Sequence, residues 1–370
     1  MPVRILIITA SVGEGHDAPA RALAEQLHAE APEVEVITED CLAVMGPAVA
    51  AVSEGAARVV FYRFLWLWDV AFWLFAVFGP TRRLTQWLLT RLGGSGLLEL
   101  IAASKPDVVV SVYPNATEVL GRLRLAGRLD VPVCAAITDL AGLRYWATPG
   151  ADLHLITHPE SVEEVRAIAG ADTQVSCVHG FTKAAFLSPR SPEEARAALG
   201  LDPRAKIVIV SGGGWGVGAL DEAIIEVLAV PGVEQVVCLC GRNEALRQRL
   251  AERFAAESRL RVEGFTEQMP DWLSAADALV HSTGGLTMLE ALMCGCPAIS
   301  YGWGRGHVRR HNAAFRRFGL AEVADSPAAL RQAVARALAS GRTASDFSTL
   351  PSAASLILAQ VRGQRLADAA

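Results

Sequence analysis

The sequence predicts an α/β chain folded as two doubly wound parallel-sheet domains of similar size. Three observations carry this. Val3–Ala10 (VRILIITA) is a continuous apolar run ending in a glycine-containing turn, the pattern of a strand buried on both faces of a parallel sheet. Lys206–Val210 (KIVIV) is a second such run, followed by SGGGWGVG, so the order strand, glycine turn, helix restarts midway. The length, 370 residues, is enough for two cores.

The elements follow in order. Asp17–Glu30 reads as a helix with an apolar stripe of Ala20, Leu23, Ala24 and Leu27. Pro19 falls in its first turn, where a missing N–H costs nothing. Val34–Thr38 is the second strand and completes a right-handed βαβ unit. Asp107–Val112, Val133–Ile137 and Leu153–Ile156 supply further strands. Phe181–Pro203, with Ser188, Pro189, Ser191, Pro192 and Pro203, reads as a break between domains. Gln235–Leu239, Leu260–Val262, Ala278–Val280 and Ala298–Ser300 are short strands of the second half, and Pro351–Gln360 is a helix. These give a first domain over 1–182, a second over 183–345, and a helical tail over 346–370 that packs back on the first.

Composition narrows the function. The net charge of -5 argues against a general nucleic-acid partner. The hydrophobic content of 52% and mean hydropathy of +0.31 predict apolar surface buried elsewhere, in a membrane or a partner. Lysine occurs only as Lys105, Lys183 and Lys206, so the other side-chain cations are arginines, which suit phosphate contacts. The seven cysteines form no C-x-x-C. Cys238/Cys240 and Cys294/Cys296 lack histidine or acidic partners at metal-site spacing, so free thiols in a reducing compartment are expected. No signal-peptide pattern precedes the strand at Arg4, which predicts that the first residues already lie in the fold.

One segment does not fit a doubly wound domain. Residues 58–92 hold Trp66, Trp68, Trp73 and Trp87 among phenylalanines, and Val59–Phe78 is about long enough to span a bilayer. Arg63 and Asp69 interrupt it. Arg58, Arg63, Arg82, Arg83 and Arg91 are set against Asp69 alone within this stretch. A basic, tryptophan-rich amphipathic segment suits an anionic membrane surface. A spanning helix and a buried core helix are the other readings.

Two motif groups carry chemistry. Gly13-x-Gly15-x-x-Ala18 matches the dinucleotide fingerprint, and Glu39 or Asp40 stands where a ribose-binding acid would. An NAD(P)-dependent oxidoreductase is therefore a reading from another class. Against it, Gly212–Gly218 fits strict G-x-G-x-x-G in no register, and a pyrophosphate turn gains nothing from His16. At the positive end of a helix dipole His16 stays neutral near pH 7 and is a competent general base; capping of backbone groups is its plainer role. In the second half, Ser282, Thr283, Gly284 and Gly285 form a small-residue turn opening a helix, a ready anion site. Glu290, one turn on, can accept from two vicinal hydroxyls, or is an ordinary helix glutamate. Ala291–Ala321 holds Arg305, Arg309, Arg310, Arg316 and Arg317 and no acid, either a diphosphate neutraliser or a solvated surface.

Taken together these stretches resemble glycosyltransferase family 28, and most of all its monogalactosyldiacylglycerol synthases and processive diacylglycerol glucosyltransferases. The likeness lies in GEGH with A-x-A-L behind it, ITDLAGLRYW (Ile137–Trp146), GRNEAL (Gly241–Leu246), GFTEQMPDWLSAAD (Gly264–Asp277), STGGLTMLEAL and HNA (His311–Ala313), and runs from about residue 3 to about residue 325. Leu143 stands where the lipid synthases usually carry histidine. The resemblance implies GT-B architecture, two Rossmann-like domains facing across a cleft. It implies inverting, metal-independent transfer of a hexose from a UDP-sugar to a lipid hydroxyl, with no cofactor. Gly213 and Gly214 belong to the donor side, Gly241, Arg242, Asn243 and Phe265 to the uridine, Ser282–Gly285 to the diphosphate and Glu290 to the ribose. His16 and Asp139 would face the acceptor as the catalytic pair. Gly13, Gly15, Trp66, Trp68, Trp73, Arg82 and Arg83 are the acceptor and membrane set, which implies a cytoplasmic enzyme peripheral on the inner face of the cell membrane. A soluble natural-product acceptor is the alternative within the superfamily.

Overall fold

A computed structural model of the chain describes residues 2–11, 14–46, 78–302, 304, 306–343 and 347–368. The chain divides into two compact units, Met1–Thr182 with Leu350–Ala370, and Lys183–Thr349.

In the first unit, β1 (Arg4–Thr9), β2 (Glu35–Asp40), β3 (Val108–Ser111), β4 (Val133–Ile137), β5 (Leu153–Ile156) and β6 (Val175–Cys177) form a parallel sheet in the order β2-β1-β3-β4-β5-β6. Around it lie α1 (Glu14–Glu30), α2 (Cys41–Val44), α3 (Gly79–Ser104), α4 (Pro114–Leu125), α5 (Val162–Ala169) and a C-terminal helix, Ala353–Asp368. Ile5 and Ile7 pack with Leu23 and Leu27 of α1 and Ile357 of the C-terminal helix. Leu6 and Ile8 point the other way, to Leu42, Leu97, Ile101, Val119 and Leu120. Ile5 to Ile8 are fully buried, worth about 2 kcal/mol each in transfer from water. The continuous apolar run is thus a consequence of helices on both faces.

α1 begins at Glu14, before the expected Asp17, so Pro19 lies inside the helix rather than in its first turn. The bond Pro19 removes is the one to the Gly15 carbonyl, and Gly15 is exposed to solvent. β2 runs on to Asp40, two residues beyond the expected end, because the Asp40 carboxylate caps α2 by accepting from the Leu42 N–H at 2.7 Å.

In the second unit, α6 (Pro192–Leu199) leads into β7 (Ile207–Ser211), α7 (Leu220–Leu228), β8 (Gln235–Leu239), α8 (Glu244–Arg253), β9 (Leu260–Glu263), α9 (Met269–Ala275), β10 (Ala278–His281), α10 (Leu286–Met293), β11 (Ala298–Tyr301), α11 (His307–Phe318), β12 (Glu322–Ala324) and α12 (Pro327–Ser340). The parallel sheet has the order β12-β11-β10-β7-β8-β9. Val208 and Val210 pack with Leu220, Ile224 and Val227 of α7 and Leu330 and Val334 of α12. Part of the expected break is in fact α6. Ser191 accepts from the Glu194 N–H, the Glu194 carboxylate accepts from the Ser191 N–H, and Pro192 sits in the first turn. Ser191 and Pro192 start a helix instead of loosening a linker.

Both sheets reverse strand order at one point, between β1 and β3 in the first unit and between β7 and β10 in the second. Ligands of open α/β sheets bind outside the carboxyl ends of the strands at such points.

Two buried histidines make the fold acid-sensitive. His154 of β5 accepts at Nε2 from the Thr148 N–H (3.3 Å), and burial drives its pKa down to about 4. Burial does the same to His281 at the end of β10, also to about 4. Unfolded, each takes a proton near 6.5, so below that pH the unfolded chain binds protons the folded chain refuses. Stability is therefore lost as pH falls from 6.5 towards 4, by about 2 kcal/mol per histidine at pH 5. Melting curves between pH 7.5 and 5 check this. His154→Gln should flatten the fall, and an equal slope in that variant would contradict it.

Candidate active site

The first unit builds its site at the β1/β3 reversal. His16 sits in the first turn of α1, directly after β1. Its Nδ1 lies 2.9 Å from the carbonyl oxygen of Val112, just past β3. A carbonyl only accepts, so Nδ1 carries the hydrogen and Nε2 holds the lone pair. The half-buried ring is flanked by Tyr113, edge-on at 5.0 Å between centroids, and by Trp146 at 5.9 Å. Burial pulls the His16 pKa below 6.5, while the carboxylate of Asp139, and more weakly Asp17, push it back up. The imidazole is therefore neutral at pH 7. Asp139 follows β4 and accepts from the Trp146 indole N–H at 2.9 Å. The loops after β1, β3 and β4 thus bring His16 and Asp139 together, two residues far apart in the chain. Leu143 is fully buried, and its N–H donates to Glu164 at 2.9 Å.

Asp40 is not arranged as a ribose acid. One of its carboxylate oxygens accepts from the Leu42 N–H and the other from the Ser11 N–H at 3.1 Å. Gly15 is exposed, and a side chain there would meet nothing within 4 Å. Gly13, Trp66, Trp68 and Trp73 lie outside the described residues.

Arg82 is not a membrane-facing cation. Its guanidinium turns inward, donating to the Arg144 carbonyl at 2.6 Å and to Glu118 at 3.4 Å. Helical spacing explains this: Arg82 and Gln86 share the face of α3 that meets α4, while Arg83 falls on the exposed side. That exposed side carries Leu84, Trp87, Leu88 and Leu92 beside Arg83 and Arg91. Among the described residues no helix is long and apolar enough to cross a membrane.

The second unit builds its site at the β7/β10 reversal, where three loops are fused. Gly241, after β8, has φ +59°, and a methyl there would run into the Gly213 and Gly214 carbonyl oxygens of the loop after β7. The Arg242 N–H donates to the Gly214 carbonyl at 2.8 Å. Gly218 lets the same loop close on Ser282, to which a Cβ would come within 2.6 Å. Gly213, Gly214, Gly241 and Ser282 to Gly285 are thus one constellation.

Several of these side chains have settled partners. Ser282 donates its hydroxyl to the Val217 carbonyl, so it ties loops together instead of offering a proton to a phosphate. Asn243 caps α8, accepting from the Leu246 N–H at 3.0 Å, which makes it a loop-shaping residue. Thr283 is half-buried, its hydroxyl 2.9 Å from His281 Nε2. Arg242 stacks its guanidinium 3.8 Å over the Phe265 ring, which is 42% exposed, a flat platform at the crevice. Glu290 lies half-buried on α10. Burial pushes its carboxyl up to about 8, against the pull of the Lys183 ammonium. Such a carboxyl gains most from donors that arrive with a ligand. Of the arginine cluster, Arg316 pairs with Asp325, Arg309 and Arg310 are exposed, and Arg305 lies outside the described residues. Among the described residues no group of three or more His, Cys, Asp or Glu side chains is placed to hold a metal ion.

Tyr113, Trp146, His281 and His311 belong to these sites although the motif reading gave them no role. His311 packs beside the Gly284 turn, where a Cβ on Gly284 would come within 3.6 Å of it. The signal for Tyr113 is its place directly after a central strand. Trp146 closes the ITDLAGLRYW stretch, and its indole bond to Asp139 is seen only in the fold.

A family model described as monogalactosyldiacylglycerol (MGDG) synthase matches residues 16–180, and one described as glycosyl transferases group 1 matches residues 207–340. The chain is a glycosyltransferase. It is 24% identical over 327 residues to a processive diacylglycerol beta-glucosyltransferase of Staphylococcus aureus, covering 88% of this chain and 82% of the relative. The resemblance to the diacylglycerol-directed enzymes of family 28 therefore stands. The solved structure of Acinetobacter baumannii MurG superposes with a TM-score of 0.56 at 16% identity, covering 98% of this chain and 100% of that one. The glycosyltransferase SnogD of Streptomyces nogalater gives 0.55 at 17% identity, with the same coverage of 98% and 100%. The fold of this glycosyltransferase is GT-B, two Rossmann-like units. Against an oxidoreductase reading, Asp40 is tied to backbone and both halves match glycosyltransferase models.

Proposed function

We propose that this glycosyltransferase moves a hexose from a UDP-sugar to the hydroxyl of a diacylglycerol-like lipid, with inversion, at the inner face of the cell membrane. The observation that carries the reading is His16, held at Nδ1 by the Val112 carbonyl so that the lone pair lies on Nε2, with its ring neutral. In the reaction the lipid hydroxyl gives its proton to Nε2 as its oxygen bonds to the sugar's anomeric carbon. The bond from that carbon to the diphosphate breaks on the opposite side, and the electron pair leaves on UDP. Asp139 offsets the positive charge gained by His16. The backbone N–H groups at the start of α10 meet the charge growing on the diphosphate. The platform of Arg242 and Phe265 takes the uracil, and Glu290 takes the ribose hydroxyls. The reading asks for no metal ion and no cofactor.

Glu290 supplies the test of the donor side. Two ribose hydroxyls donating to it would favour its ionised form, so UDP binding should release a proton near pH 7. Affinity for UDP should rise several-fold between pH 7 and 8.5, as deprotonation of free Glu290 nears completion. Calorimetry in two buffers reads both effects. Glu290→Gln should abolish the pH dependence, and tight NAD binding with none of UDP would overturn the donor assignment.

The membrane side rests on the exposed apolar stripe of α3 between Arg83 and Arg91. Since Leu84, Trp87 and Leu88 are exposed, replacing all three by serine should leave folding intact. Flotation with anionic phospholipid vesicles should fall at least about tenfold in that variant. Unchanged flotation would remove α3 from the membrane contact, and no flotation of the parent protein would favour a soluble acceptor.

A further inference from the structure

The donor turn carries two hydroxyls, and one of them is spent. Ser282 gives its hydrogen to the Val217 carbonyl. Thr283 is half-buried, and among the described residues its hydroxyl meets Nε2 of His281 at 2.9 Å. His281 ends β10, is 1% exposed, and is neutral at pH 7 because burial disfavours its charged form. A neutral imidazole carries one hydrogen, so this contact can run in either sense. With the hydrogen on Nδ1, Nε2 accepts from the threonine, whose one hydrogen is then used up. With the hydrogen on Nε2, the ring donates to the Thr283 oxygen, and the threonine keeps its own hydrogen for another acceptor.

The surroundings of Nδ1 decide between the two. Nδ1 is buried and has no hydrogen-bond partner among the described residues, although the main chains of Gly284 and Ser211 face the ring. Folded proteins tolerate a buried acceptor short of a donor more readily than a buried N–H with no acceptor. The hydrogen therefore belongs on Nε2. The pair also sits where the loops of the second unit meet. A Cβ on Gly213 would come within 3.1 Å of the Thr283 hydroxyl oxygen and 3.7 Å of the imidazole Cε1.

We infer that His281 is a positioning residue for the donor: its Nε2–H donates to the Thr283 oxygen, which leaves the Thr283 hydroxyl hydrogen for an oxygen of the diphosphate. The inference rests on the UDP-sugar reading and adds to it a residue outside the turn. The bond from the ring also strengthens the hydroxyl as a donor, because linked hydrogen bonds polarise one another and the acceptor at the end of this chain is charged.

The first test needs no ligand. Nitrogen NMR of histidine-labelled parent protein tells a hydrogen-bearing ring nitrogen from a bare one, and the ring whose signals move in Thr283→Val is His281. The hydrogen is expected on Nε2. A hydrogen on Nδ1, or no ring that responds to Thr283→Val, would overturn the inference. The second test is binding of UDP and of uridine to the parent, Thr283→Val, His281→Met, His281→Gln and the double variant of valine and methionine. Thr283→Val removes the hydroxyl at nearly constant shape, so UDP should bind about tenfold more weakly and uridine within about twofold of the parent. His281→Met fills the slot without a donor and should weaken UDP about threefold, uridine again being spared. His281→Gln can present an N–H at similar reach and should recover most of that loss. The double variant should be no weaker than Thr283→Val. A purely structural histidine would weaken both ligands alike and gain nothing from glutamine, and either result would overturn the inference. Should the variants at 281 fold poorly, the NMR experiment and Thr283→Val still decide it. A parent protein that binds no UDP removes the donor reading and this inference with it. UDP bound equally well by the parent and Thr283→Val removes the inference alone.

Discussion

His16→Ala loses about 10²–10⁴-fold in kcat, the usual worth of a positioned general base, with UDP affinity unchanged within about twofold. The size follows from the chemistry. A lipid hydroxyl is a poor nucleophile until a base takes its proton, and Nε2 of His16 is the lone-pair nitrogen of a ring fixed on both sides by Tyr113 and Trp146. The selectivity follows from location. His16 belongs to the unit that contains β1 to β6, while the loops proposed to bind the donor belong to the unit that contains β7 to β12. Steady-state kinetics with a UDP titration reads both quantities. Retained turnover would end the base assignment, and lost UDP binding would mean the variant had unfolded or the donor loops were misassigned. His16→Gln is the companion variant, because it preserves the polar contact to Val112 while removing the basic nitrogen.

Gly241→Ala abolishes measurable UDP binding, a loss of at least about a hundredfold. Two costs combine. The residue sits at φ +59°, a left-handed conformation that costs alanine about 1–2 kcal/mol. The added methyl also strikes two backbone carbonyl oxygens, Gly213 and Gly214, that have no side-chain freedom to yield. The loop after β7 must retreat, and it carries the Gly214 carbonyl that anchors Arg242 over Phe265. The first unit shares none of this, so vesicle flotation of the variant should match the parent. Normal UDP affinity would show that the three-loop contact does not shape the nucleotide site.

Much of the architecture was legible from the chain alone, for a physical reason. Strands buried on both faces read as apolar runs, so β4, β5 and β8 fall on the residues their hydropathy predicts, and β1 and β7 within a residue or two. Edge strands lack that pressure. β6 and β12 are three residues each and largely half-buried, with no run to announce them. Gly213, Gly214, Gly241 and Ser282 lie together because the turns after neighbouring parallel strands end at the same edge of the sheet. What was not legible is which side chains the backbone would claim. Ser282, Asn243 and Asp40 carry groups suited to a ligand, yet each is held by main-chain groups that only the fold brings near. Arg82 was misplaced for a related cause: its charge suggested a membrane, while helix geometry turns it towards Glu118 and Arg144. Trp146 shows the converse, an apolar-looking residue whose indole N–H reaches Asp139.

The most direct measurement is sugar transfer itself. The purified protein is mixed with anionic vesicles containing diacylglycerol and, in turn, each member of a panel of radiolabelled UDP-hexoses, and label is counted in the chloroform extract. Chloroform-soluble label is expected from at least one UDP-hexose, with the product's anomeric configuration inverted and the signal lost in His16→Ala. Label that stays in water with every donor, or lipid product formed equally well by His16→Ala, would contradict it.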